Sequence, residues 1–84
     1  MTDLEYLLGK ALVEIIISID LSDDEDIDPD IATNILEPTA RLLQRTSGED
    51  RRALVALLAE CGEEETDPER RMTALDLPGA LGLT

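Results

Sequence analysis

Between Asp3 and Asp20 apolar residues return at the spacing of a helix. Leu4, Leu7, Leu8, Ala11, Leu12, Ile15, Ile16 and Ile19 share one broad face at about 100° per residue. A face that wide has to be covered, so it decides the class of fold open to the chain. The β-branched cluster from Val13 to Ile19 would also suit a strand, but no other segment reads as its partner and a lone strand is not stable. The pattern predicts a first helix over about residues 3–20.

Two later helices announce their starts. Asp28 can cap a helix whose first residue is Pro29, where a missing N–H costs nothing, and Asp67-Pro68 repeats the signal. The first of these predicts a helix over 29–45. Ile31, Ile35, Leu36, Leu42 and Leu43 keep one apolar face across Pro38, so the proline is expected to kink the helix and not to end it. Ser47-Gly48-Glu49-Asp50 reads as a capping sequence, with Ser47 accepting from first-turn amides, and opens a helix over 48–62 with Leu54, Leu57, Leu58 and Cys61 inward and Gly62 as its stop. A short fourth helix over 68–76 and an irregular apolar segment, Leu77 to Leu83, complete the chain. The expectation is one all-α domain over residues 1–84, a small antiparallel helical bundle.

With 84 residues there is room for one modest core, and with no Phe, no Trp and a single Tyr that core must be aliphatic. One Cys and no His rule out an internal disulfide and the usual zinc, haem and iron–sulfur ligand sets, so no metal and no cofactor are expected. The longest uncharged apolar run, Ile15 to Ile19, is far short of a membrane span, and the acidic start is unlike a basic secretory signal. A cytoplasmic protein is the expectation.

Candidate chemistry is sparse. From Asp26, acids stand at the first, third, fifth and twelfth positions of a calcium loop (Asp26, Asp28, Asp30, Glu37). The sixth position, which needs Gly, holds Ile31, and Pro29 already starts a helix. Short solvated loops cannot push carboxylate pKa values apart for acid–base work, and Cys61 sits on an apolar stripe with no His to activate it. No catalytic residue is assigned. A second apolar stripe on the first helix, Tyr6, Val13 and Ile17, lies roughly opposite Leu4. Either the C-terminal Leu77–Leu83 segment covers it or it is the interface of a homodimer or another partner, with Tyr6 as anchor.

Charge is the strongest functional signal. Acids outnumber bases 20 to 7, for a net charge of −13, which opposes binding to nucleic acid or an anionic membrane and favours a basic protein partner. Asp28, Asp30, Asp67 and Glu69 sit at expected helix starts, where negative charge is stabilising. Asp20, Asp23, Asp24, Glu25 and Asp26 follow the first helix and Glu63, Glu64 and Glu65 the third, where it is not. If those helices point the same way, the eight acids converge on one pole, with Arg41, Arg45, Arg51 and Arg52 at the other.

The chain is similar to acyl carrier proteins in size, acidity and helix content, but Gly48-Glu49-Asp50-Arg51 has no Ser after the Asp to carry a phosphopantetheine arm. In size, acidity and helical class it also resembles the small immunity proteins that neutralise bacterial nuclease toxins. That resemblance covers no motif, and no residue role is carried over. The expected function is a small acidic protein–protein interaction module that binds a basic partner and inhibits or chaperones it. The alternative is a homo-oligomeric structural or adaptor component built on the Tyr6–Val13–Ile17 stripe.

Overall fold

Thr2 starts the first helix by a device that the spacing of apolar residues does not reveal. Its hydroxyl accepts from the Glu5 amide at 3.1 Å, and the Glu5 carboxylate accepts from the Thr2 amide at 3.0 Å. The bond from the Thr2 amide, and after it the Thr2 hydroxyl beside the carboxylate, hold the Glu5 carboxyl below its ordinary pKa. The computed structural model describes residues 1–84. Four helices take up 75% of them, with no strand, so the protein is all-α. The helices are α1 (Asp3–Asp20), α2 (Pro29–Leu43), α3 (Gly48–Glu64) and α4 (Pro68–Ala80).

The two aspartate–proline starts form as the sequence predicts. Asp28 accepts from the Asp30 amide at 2.8 Å and Asp67 from the Glu69 amide at 3.0 Å, each with proline at the first helical position. α2 runs unbroken through Pro38 and ends at Leu43, two residues before the expected Arg45.

Three details differ from the sequence reading. Ser47 stands at the start of α3, but its side chain makes no capping bond. The entry instead passes through Gly48 at φ 54°, a left-handed turn that glycine adopts without a Cβ clash. Gly62 does not stop α3. It is buried inside the helix, and a Cβ there would come within 2.7 Å of Leu75 Cδ2, so the glycine serves the close approach of α4. Last, α4 continues past Asp76 and takes in Pro78, so much of the segment expected to be irregular is helical. The chain then closes through Gly82 at φ 73°, with the Gly82 amide bonding the Gly79 carbonyl at 3.1 Å and the Leu83 amide the Pro78 carbonyl at 2.8 Å. That pair of bonds is the Schellman ending, and it turns Leu81 and Leu83 into the core.

The core unites Val13, Ile16 and Ile17 of α1, Leu57, Leu58 and Cys61 of α3, Ala74 and Leu77 of α4, and Leu81 and Leu83 beyond it. α2 contributes no fully buried residue; Leu36, Ala40 and Leu43 only rest against the others. The largest difference concerns α1. Most of its broad face is outside, with Leu4, Leu7, Leu8 and Ile15 each more than half exposed and only Ile16 at its edge fully buried, whereas Val13 and Ile17 on the narrow stripe are 3% and 1% exposed. The inward choice follows from what α3 offers. Gly9 leaves room for the Leu57 side chain, the Tyr6 hydroxyl donates to Glu60 at 2.7 Å, and Lys10 meets Glu64 at 2.6 Å. The two polar pairs climb both helices together, Tyr6 with Glu60 and Lys10 with Glu64, so α1 and α3 point the same way.

Candidate functional site

Arg70, in the first turn of α4, ties the ends of α1 and α3 together. Its guanidinium lies 2.7 Å from a Glu14 oxygen, 3.4 Å from Glu65 and 3.5 Å from the Ser18 hydroxyl. Because α1 continues only to Asp20, the acidic loop leaves the molecule from this same end.

The eight acids expected there divide into two kinds. Glu64 is paired with Lys10 and Glu65 with Arg70, so these two do have a role in folding, contrary to the sequence reading. α3 is also longer than expected, which puts Glu63 and Glu64 within its last turn. Asp20, Asp23, Asp24, Glu25, Asp26 and Glu63 are exposed and make no ion pair. The loop that carries four of them is shaped by backbone bonds, with the Asp23 carbonyl accepting from the amides of Asp26 at 2.9 Å and Ile27 at 3.0 Å.

The acids that spaced like a calcium loop do not converge. Asp28 is turned to the start of α2, and no three His, Cys, Asp or Glu side chains come together in a way that could hold a metal ion. Cys61 is buried, and desolvation, ahead of the nearby charges, pushes its thiol pKa up, away from the reactive thiolate. No helix is long and apolar enough to cross a membrane.

The stripe offered as an oligomer interface is used within the chain. Val13 and Ile17 are core residues, and Tyr6 is engaged by Glu60 and by the Lys10 ammonium 5.3 Å from its ring centre. The hydrogen bond to Glu60, then burial, raises the Tyr6 pKa; the bond to Glu64 raises that of Lys10. Of the four arginines expected at the far end, Arg41 is 3.8 Å from Glu37 within α2, and Arg51 donates to the Gln44 carbonyl. Arg45 and Arg52 are exposed and make no ion pair.

Two features escaped the sequence reading. Arg70 as a clamp depends on the fold bringing Glu14 next to Glu65, 51 positions later, and nothing local signals it. The outward face of α1 was legible as an apolar face but not as an exposed one. Comparison with protein families, with curated proteins and with solved structures found no match for this chain. What the fold defines is a small all-α protein in which Asp20, Asp23, Asp24, Glu25, Asp26 and Glu63 stand exposed and unpaired.

Proposed function

We propose that this protein is an acidic protein–protein interaction module that docks the end formed by Asp20, Asp23, Asp24, Glu25, Asp26 and Glu63 on a basic protein surface, inhibiting or chaperoning that partner. In this reading the four helices form a small antiparallel bundle, three main helices and a shorter fourth, that carries the acids as a rigid group. One observation carries the proposal: six exposed acids stand without a basic partner, although Lys10 and Arg70 neutralise Glu64, Glu65 and Glu14 close by. Charge gathered in this way speeds encounter with an opposite charge and selects against anionic surfaces. An immunity-like inhibitor that covers a basic active site is the form of the function that fits best. The proposal involves no catalytic step, and a reduced Cys61 suits the cytoplasm.

The test is capture of partners from the source cell at low and high salt, using the intact chain and a variant with Asp23, Asp24, Glu25 and Asp26 each changed to Lys. Salt-sensitive capture of a basic protein, lost in the variant while helicity by circular dichroism is kept, is the expected result. Capture that ignores both salt and charge reversal would overturn it.

A second reading, a homo-oligomeric structural or adaptor component, is favoured by a different observation: the exposed apolar side chains of α1 and α2.

A further inference from the structure

One face of this highly charged molecule carries little charge, with Arg45 at its edge just past the end of α2. On α1, within about 60° of Leu4 lie only Leu7, Leu8, Ala11, Ile15, Ser18 and Ile19, and Asp3, Glu5, Lys10, Glu14 and Asp20 all fall further round. α2 repeats the arrangement. Within about 60° of Ile31 lie only Asn34, Ile35, Pro38 and Leu42, with Asp30, Glu37 and Arg41 outside. On α1 the exposures are 67% for Leu4, 60% for Leu8 and 56% for Ile15; on α2 they are 55% for Ile31, 43% for Ile35 and 63% for Leu42.

The two stripes lie on the same side of the molecule. α2 runs back along α1: Thr33, Leu36 and Ala40 line one cavity with Ile16 and Asp20, and Leu43 lines another with Glu5, Gly9 and Leu12. α1 thus meets α2 through positions about 80–160° round from Leu4, and α2 turns Leu36, Ala40 and Leu43, about 120–180° round from Ile31, towards α1 and the core. Because the helices are opposed, these turns bring both stripes out side by side as one two-helix apolar surface.

The molecule exposes more surface than a monomer of its mass ordinarily does. Its accessible surface is 5661 Å², against about 4,900 Å² for a folded monomer of 9.2 kDa. The excess, roughly 750 Å², is close to the about 800 Å² that each partner buries in a standard interface.

We propose that this surface is a homodimer interface, in which α1 packs on α1 of a second copy about a two-fold axis passing near Ala11, with the α2 stripes flanking the contact. An axis across the helices makes the contact antiparallel and sends the two acidic loops to opposite ends of the dimer. An axis along them would bring both loops to the same end, where two sets of like charges repel. At the centre of the contact the small side chain of Ala11 lets the α1 helices approach, with Leu8 and Ile15 meeting across the axis. The inference is independent of the acidic-end reading, since it uses none of those residues.

Sedimentation equilibrium of the intact chain tests it. The expected mass is twice 9.2 kDa in the micromolar range. Leu8→Glu with Ile15→Glu should raise the dissociation constant by on the order of a hundredfold or more, with helicity by circular dichroism unchanged. Under mild oxidation Ala11→Cys should cross-link into a dimer, whereas Leu4→Cys, held far from its mate, should not, because a disulfide needs Cα atoms within about 7 Å. A monomeric wild-type chain would overturn the proposal and leave this face to a different protein. Dimerisation that survives the double substitution would overturn it as well, and cross-linking of Leu4→Cys as fast as Ala11→Cys would overturn the antiparallel pairing.

Discussion

The two faces of α1 differ less in apolar content than in what borders them. The inward face, with Val13 and Ile17, is edged by Tyr6, Lys10 and Glu14, and each has a polar partner elsewhere in the chain: Glu60, Glu64 and Arg70. The outward face, with Leu4, Leu8 and Ile15, has only the long contact of the Ser18 hydroxyl with Arg70, 3.5 Å, near one end. A hydrophobic stripe gains from burial wherever it goes, but its neighbours must keep hydrogen bonds and countercharges. The edges therefore decide which of two apolar faces turns inward.

Substitutions that place the same charge on either face break this comparison most sharply. Val13→Asp or Ile17→Asp buries an unpaired carboxylate at a cost of at least about 4 kcal/mol, comparable with the whole stability of a domain this size at the low end, about 4 kcal/mol. Thermal melts followed by circular dichroism should show loss of the folded state. Leu8→Asp should change the melt of the dissociated chain by only about 0.5 kcal/mol or less, and equal damage from both would remove the distinction.

A smaller effect is expected at Gly9, where α1 approaches Leu57. Gly9→Val overpacks the seam and should cost about 1–3 kcal/mol by urea denaturation; a neutral result would mean that Leu57 moves aside freely. The smallest effect is at the polar edge. Tyr6 and Lys10 both have folded pKa values above their ordinary ones, so the folded chain holds these protons more tightly than the unfolded chain. Their contribution to stability is fully present below about pH 10 and is lost as the pH rises through the folded values. Glu60→Gln removes the charge beside the phenol, and an ultraviolet titration should then find the Tyr6 transition closer to the ordinary value.

The helices themselves were legible in the sequence, because their signals are local: apolar spacing in residues 3–20, and Asp-Pro at 28–29 and 67–68. Boundaries that depend on another helix were not. Gly62 looks like a stop until α4 is seen lying against it, and Leu77 to Leu83 looks irregular because Pro78 hides a helical last turn. Among the site residues, the free acids of the loop stand where helix ends predicted them. Glu64 and Glu65 were misjudged, because Lys10 and Arg70 reach them from distant parts of the chain. The orientation of α1 was misread for a similar reason, since counting apolar residues measures the width of a face but not what edges it.

α2 leaves a further mark on the molecule. It holds no fully buried residue, and Pro38 cannot bond the carbonyl of Asn34, so little free energy separates its folded form from an open one. Hydrogen exchange followed by mass spectrometry should find its amide protons exchanging through openings smaller than global unfolding, ahead of those in α3 and α4. A second copy packed alongside Ile31, Ile35 and Leu42 closes that route. For α2, pairing and completion of the fold are then one event, and protein concentration sets how long the helix stays shut.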